Sequence, residues 1–319
     1  MSNIHILTNP LSGKNRKYPT RFDKMMSLAK QHCAPENTLA AHQPDGLDAL
    51  LETVLQIKNS DADILCIDGG DGTIHQVFTA LWKVYGMEHP YPTIALLKGG
   101  TMNNVARNVG VGFWTTAESL LKQIASGGDL LRVSQHPLVV SNDSGEERSG
   151  FIYGNAALAP FMQDYYEGSR PSPLKGFLMF CRATLSALFG MEYSQRMMPP
   201  VEMEVHVDGD PLPKATYTLV GVSTVPDVGF YCRPFYHTLT QNNILQLLGM
   251  TCSPLHIAKV IPKLWLAKPT QKSYIKDIVG QQIRFKYTKP HISTIDGDVY
   301  PPQSVDTIRV GPSVQFLHL

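Results

Sequence analysis

The feature that most limits the fold is a short apolar run, closed by glycines and followed by a helix, that recurs along the first 130 residues. Ile64–Asp68 (ILCID) reads as a buried strand and ends in Gly69-Gly70, with helical spacing behind it over 74–85. The run 93–97 (TIALL) reads the same way, ends in Gly99-Gly100 and leads into a helix over 103–108. A third such strand covers 4–8 and turns at Asn9-Pro10. Helical spacing also covers 23–31, 47–58 and 116–125, and 37–41 reads as a further strand. Strands alternating with helices predict a mostly parallel sheet covered on both faces.

Beyond about residue 130 the pattern changes to short strands: 137–141, 147–153, Val201–Val207, 217–223, 273–278, 282–287 and 308–310. Val201, Met203, Val205 and Val207 alternate with Glu202, Glu204 and His206, which is the period of a half-buried strand. Helical spacing interrupts at 174–188 and 256–266. This half reads as an antiparallel β domain with helical insertions. The expected division is 1–131 and 132–319, with the extreme C-terminal segment packing back on the first domain. A chain of 319 residues suits two domains at ~150 residues each.

Composition excludes several classes. Hydrophobic residues are 43% and charged residues 17%, which is globular. Lys plus Arg number 28 against 27 Asp plus Glu, so no global field draws the chain to nucleic acid. Cys33, Cys66, Cys181, Cys232 and Cys252 are odd in number and never spaced CxxC, which fits reduced thiols in a cytoplasm. The start lacks the basic and long apolar segments of a signal peptide. The longest apolar stretch, 176–190, carries Arg182 and is too short to span a bilayer.

Chemistry concentrates at the strand ends. In Gly69-Gly70-Asp71-Gly72-Thr73 the glycines let backbone approach a ligand, and the helix behind offers free N–H groups to a phosphate. Thr73 adds a hydroxyl, and Asp71 a carboxylate for magnesium or water. The plain alternative is a βα turn with Thr73 as the helix cap. Gly99-Gly100-Thr101 repeats the pattern, and Asn9-Pro10-Leu11-Ser12-Gly13-Lys14 is a third loop without the leading glycine of a Walker A motif. Three such loops at the carboxyl ends of parallel strands would share one crevice and hold phosphate. Lys98 and Arg107 flank the second loop as phosphate contacts, whereas Lys14, Arg16 and Lys17 are as well explained by exposure. Ile295-Asp296-Gly297-Asp298 reads by itself as a hairpin turn, with a general base or metal ligand as the functional alternative.

Together these motifs resemble the diacylglycerol-kinase catalytic family, which includes bacterial lipid kinases and the sphingosine and ceramide kinases. The resemblance rests on Asn-Pro-x-Ser-Gly at 9–13, Gly-Gly-Asp-Gly-Thr at 69–73, Gly-Thr-x-Asn-x-x-Ala-Arg at 100–107 and Asp-Gly-acid at 296–298. It implies a Rossmann-like nucleotide domain followed by an antiparallel β-sandwich, with the active site in the cleft between them. ATP phosphates would lie over Gly69, Gly70, Gly72, Thr73, Gly100 and Thr101, with Asn9, Ser12, Gly13, Asn103 and Arg107 around the nucleotide. Asp298 would be the base for a lipid hydroxyl, beside Asp296, and Asp71 would support Mg2+ on the phosphates. Implied with it are a lipid substrate, peripheral attachment to a membrane surface, a cytoplasmic location and no nucleic acid. A homodimer stays open.

The pattern is departed from where charge matters. Gln76 and Asn104 stand where the family usually has acids, and Asp298 is shorter than the usual Glu. The family's structural magnesium turn corresponds to Leu239, Asn242 and Ile244, where a neutral amide predicts weak or no metal. The segment 154–168 lacks glycines that many relatives carry there. Segments 176–190 and 252–266 are apolar enough to line an acyl-chain cleft or lie on a membrane, though core packing is the commoner use of such residues. Lys175, Arg182, Lys259, Lys263 and Lys268 could meet anionic headgroups or simply be solvated. Two other readings remain: a relative that binds nucleotide or lipid with little catalysis, and a kinase for a soluble substrate resembling NAD kinase.

Overall fold

The structure, a computed structural model, describes residues 1–167 and 172–319, so Gly168 of the glycine-poor segment lies outside it. The chain divides into two compact units. One is Met1–Pro137 with Pro312–Leu319, and the other is Leu138–Gly311.

The first unit runs β1 (Asn3–Thr8), α1 (Gly13–Lys17), α2 (Arg21–His32), β2 (Thr38–His42), α3 (Gly46–Asn59), β3 (Ile64–Asp68), α4 (Asp71–Tyr85), β4 (Thr93–Leu96), α5 (Asn104–Asn108), α6 (Ala117–Ala125) and β5 (Leu131–Gln135). The second runs β6 (Leu138–Asn142), β7 (Glu147–Gly150), β8 (Ile152–Ala156), α7 (Leu158–Tyr166), α8 (Pro173–Leu188), α9 (Glu192–Met197), β9 (Val201–Val207), β10 (Asp210–Pro211), β11 (Ala215–Tyr217), β12 (Leu219–Ser223), β13 (Leu245–Met250), α10 (Pro254–Trp265), β14 (Ile275–Gly280), β15 (Gln282–Ile295) and β16 (Asp298–Val310). The chain then returns to the first unit as β17 (Val314–His318).

The first sheet has the order β2-β1-β3-β4-β17-β5 and is parallel except for the β17–β5 pair. Its strands are buried on both faces, which is why they read as continuous apolar runs. Ile4, Ile6, Cys66 and Ala95 pack in one cluster with Met25 and Ala29 of α2 and Leu120 and Ile124 of α6. On the opposite face Phe78 of α4 stacks on Phe316 of β17 at 6.0 Å. Leu50, Val54 and Ile57 form the buried stripe of α3.

The second sheet is antiparallel, and β15 joins its two branches. The first half of β15 pairs with β9 and its last two residues pair with β8, with register shifts between Lys286 and Ser293 on its β16 side. Val201, Met203 and Val205 of β9 therefore share a core with Val220 and Val222 of β12 and Leu245 and Leu247 of β13. Tyr153, Tyr287 and Asn155 carry a polar knot into this core. Tyr153 and Tyr287 both donate to Asp306 Oδ2, at 2.5 and 2.9 Å, and Asn155 Nδ2 donates to the Tyr287 oxygen at 2.9 Å. Burial holds the Asp306 pKa up, against the pull of the two hydroxyls.

Several boundaries differ from the periodicity reading, each for a physical reason. Run 147–153 breaks at Phe151, because the N–H groups of Phe151 and Ile152 go to the Asp296 carboxylate. Run 217–223 breaks at Thr218, where the chain leaves β9 and joins β8 and β13. Strands β5, β13 and β17 and helices α7 and α9 carry no period that singled them out.

Candidate functional site

The site of the first unit is built where β1, β3 and β4 end. The structure brings the three predicted loops into mutual contact. Asn9 takes part in two links: its N–H donates to the Asp68 carbonyl at 3.0 Å, and its Nδ2 to Thr73 Oγ1 at 2.9 Å. Ser12 Oγ donates to the Gly99 carbonyl at 3.3 Å, and the Lys14 N–H reaches the same carbonyl at 2.9 Å.

Glycine is required at these contacts by space. A Cβ on Gly100 would stand 2.2 Å from Gly70 Cα, and one on Gly13 would stand 2.5 Å from Thr101 Oγ1. A Cβ on Gly69 would strike the Thr73 side chain within 2.6 Å. No real Cβ tolerates such distances, so the loops close only because the side chains are missing. Asn103 locks the second loop from within. It is in the left-handed region, accepts the Gly100 N–H at 3.1 Å and donates back to the Gly100 carbonyl at 3.0 Å.

Helix α4 begins at Asp71, three residues earlier than its periodicity indicated. Gly72 and Thr73 therefore sit in the first helical turn, and the cap is Gly70, not Thr73. The free N–H groups of a 15-residue helix thus open beside Gly70 and Gly100.

Asp71 does something the sequence did not suggest. Its Oδ2 accepts the Asn104 N–H and its Oδ1 the Val105 N–H, each at 3.0 Å. The carboxylate caps α5 and clamps the second glycine loop to the first. Burial raises its pKa, while these backbone donors and Arg107 oppose the rise.

Asp68, Asn15 and Arg21 form a brace that sequence reasoning missed. Arg21 Nη1 meets Asp68 Oδ1 at 2.5 Å, Arg21 Nη2 reaches the Leu97 carbonyl at 3.1 Å, and Asn15 Nδ2 meets Asp68 Oδ2 at 2.8 Å. One fully buried carboxylate thus ties the ends of β1, β3 and β4 together. The signal was present: Asp68 closes an otherwise apolar run, and a buried acid needs a partner. Nothing local marked Arg21 as that partner.

The flanking cations need correction as phosphate ligands. Lys98 Nζ donates to the carbonyls of Gly112 and Phe113 at 2.8 and 3.2 Å, and Arg107 Nη2 donates to Asn104 Oδ1 at 2.6 Å. Both are committed to holding loops.

The acidic element lies in the second unit and is described there by itself. Ile295 pairs with Asp298, so Asp296 and Gly297 are a two-residue hairpin turn, with φ of 50° and 100°. Asp296 is thereby corrected from chemistry to architecture: its carboxylate accepts the Phe151 and Ile152 N–H groups at 3.0 and 2.9 Å. Asp298 opens β16 half-buried. Met162 and Tyr166 of α7 stand over the turn, 3.1 and 3.4 Å from where a Gly297 Cβ would be.

Leu239 and Asn242 are exposed and Ile244 half-buried, and none brings a carboxylate. The nearby acid, Asp277, is already bonded by the Tyr236 hydroxyl and by Gln246 Nε2 at 2.7 Å. Among the described residues no group of three or more His, Cys, Asp or Glu side chains is placed to hold a metal.

Helix α8 buries Met179, Ala183, Ser186 and Ala187 and presents Leu174, Phe177, Leu178, Leu185 and Leu188 outward. Helix α10 buries Ile257, Val260 and Leu264, the ordinary core use of such residues. Lys175 Nζ donates to the Glu167 carbonyl at 2.6 Å, and Arg182 stacks on Tyr193 at 4.1 Å. No described helix is long and apolar enough to cross a membrane.

The fold and these loops define a phosphate-binding α/β unit joined in sequence to an antiparallel one. Residues 3–133 match the diacylglycerol kinase catalytic domain, so the first unit carries a kinase-type catalytic domain of that family. Solved structures agree in fold across the chain. A diacylglycerol kinase from Bacillus anthracis strain Sterne superposes with a TM-score of 0.64 at 14% identity, covering 100% of this chain and 97% of that one. A second structure from that strain, provisionally given the same activity, reaches 0.70 at 14% identity with the same coverage. An NAD kinase from Archaeoglobus fulgidus, in complex with ATP, reaches 0.50 at 12% identity over 98% of this chain and 92% of its own. No curated protein matches the sequence.

Proposed function

We propose that this protein is an ATP-dependent lipid kinase that phosphorylates a hydroxyl of a diacylglycerol-like or sphingoid lipid. The observation that carries the reading is the closure of three glycine loops on one another at the end of β1, β3 and β4, in a domain that matches the diacylglycerol kinase catalytic domain. Gly70, Gly72, Thr73, Gly100 and Thr101 present backbone N–H and hydroxyl donors suited to a triphosphate. Asn9, Ser12, Gly13, Gly69 and Asn103 keep those donors in place.

Mg2+ fits only as an ion carried by the nucleotide. The two carboxylates at the loops are bonded to Arg21 and Asn15, or to the α5 backbone, so the chain supplies no cage. Bound to the phosphates, it would offset their charge. Asp71 then acts chiefly by fixing the loops. Asp298 is the base: it takes the proton of the acceptor hydroxyl as that oxygen forms its bond to the γ-phosphorus. The bond from that phosphorus to the bridging oxygen breaks, and ADP leaves. The outward apolar face of α8 would meet the acyl chains.

A second reading is favoured by particular residues. Gln76, Asn104 and the short Asp298 remove or withdraw negative charge, which suits a relative that binds nucleotide or lipid and turns over slowly. The test is transfer of labelled γ-phosphate from ATP to lipid, in wild type and Asp298→Ala. A labelled lipid lost in the variant supports the kinase. ATP binding without any labelled lipid supports the binding protein.

A further inference from the structure

The first unit carries a feature that phosphate chemistry does not explain. Phe113 and Trp114 are 73% and 88% exposed, side by side on the turn between α5 and α6. Their rings meet edge to face at 5.0 Å. Large aromatics left in water at such a density mark a binding surface more often than chance exposure.

The turn holding them is rigidly built. The Thr115 N–H closes it on the Gly112 carbonyl at 3.2 Å, and Lys98 Nζ grips the Gly112 and Phe113 carbonyls. Directly after it, Thr116 and Ser119 cap α6 reciprocally. The aromatics are therefore presented in a fixed place, with little ordering entropy left to lose on docking. Because Lys98 follows β4, this turn lies at the same end of the sheet as the glycine loops.

Its surroundings are cationic. Burial, and then the charge of Lys14, lowers the Lys98 pKa, so Lys14 stands close by. Lys14, Arg16 and Lys17 are exposed on α1, and Leu11, ahead of them, is 74% exposed. Segments 9–17 and 110–117 contain no Asp or Glu. The nearest acid along the chain is Glu118, in the first turn of α6.

We propose that the Phe113–Trp114 tip, flanked by Lys14, Arg16, Lys17 and Lys98, is an interfacial anchor that seats the first unit on an anionic lipid bilayer. Trp settles at the headgroup level, and neighbouring Lys and Arg meet the negative surface potential. A protein partner fits less well, because Lys is depleted from protein interfaces while here it surrounds the aromatics. The inference deepens the lipid-kinase reading, since the anchor would hold the phosphate loops near lipid headgroups.

The experiment is sedimentation with phosphatidylcholine vesicles, with and without phosphatidylglycerol, for wild type, Trp114→Phe, Trp114→Ala and the Phe113→Ala/Trp114→Ala double variant. Both side chains are exposed, so the variants should melt as wild type does. Each aromatic removed should weaken binding to anionic vesicles roughly tenfold or more, and Trp114→Phe should retain most of it. Brominated lipid should quench the Trp114 emission, isolated as the difference between wild type and Trp114→Phe. Equal sedimentation of wild type and double variant overturns the proposal. So does Trp114 emission that brominated lipid leaves untouched, or a dimer in solution that Trp114→Ala dissolves without changing vesicle binding. Vesicle binding through Trp114 by a protein that phosphorylates no lipid would defeat the kinase reading alone.

Discussion

At the scale of single residues, the acids divide by what their oxygens touch. Asp296 holds two backbone N–H groups and Asp298 does not share that task. Asp298→Asn should lower kcat about a hundredfold or more with an unchanged melting temperature. Asp298→Glu, by restoring reach, should raise kcat. Asp296→Ala should instead cost about 1–3 kcal/mol of stability, read by denaturant unfolding, because buried donors lose their acceptor. A melting temperature unmoved in Asp296→Ala would refute the assignment. A second residue-level expectation concerns His5 and His42, stacked and bonded Nδ1 to Nε2 at 2.9 Å. Burial lowers both pKa values from 6.5, and His42 lowers that of His5 further. The unfolded chain thus binds more protons, so this contribution is complete above pH 6.5 and is lost as pH falls through the folded values. The melting temperature should drop in mildly acidic buffer, and His42→Gln should shrink the drop.

At the scale of elements, the glycine loops act through contact rather than flexibility. Gly100→Ala places a methyl 2.2 Å from Gly70 Cα, so the loops must part. We expect a loss of ATP affinity of at least tenfold by calorimetry, with about 1–3 kcal/mol of stability lost. Unchanged affinity would show that the loops do not form the phosphate site. The sequence made these elements legible because both signals were local: an apolar run of strand length, and glycines at its end. Buried strands β1, β3 and β4 were readable for that reason, and α4 to within its first turn. What escaped was set by partners distant in sequence. Strand β17 forms because β4 and β5 offer it edges, and β13 because β12 and β14 do. The brace from Arg21 to Asp68 spans 47 residues, and no spacing rule joins them. The commitment of Lys98 and Arg107 to loop carbonyls and to Asn104 was equally invisible, since charge beside a glycine loop reads alike whether it meets phosphate or backbone.

At the scale of the whole molecule, the two units divide the labour that a lipid kinase requires. The first has the phosphate loops and matches the diacylglycerol kinase catalytic domain over 3–133. The second has Asp298 and the outward apolar face of α8. The measurement that tests this account most directly is transfer of the γ-phosphate of labelled ATP into a total lipid extract with magnesium, comparing wild type, Asp298→Ala and Asp71→Asn. The account predicts one labelled lipid class in wild type, lost in Asp298→Ala and sharply reduced in Asp71→Asn. No labelled lipid from a wild type that still binds ATP, or labelling undiminished in Asp298→Ala, would contradict it.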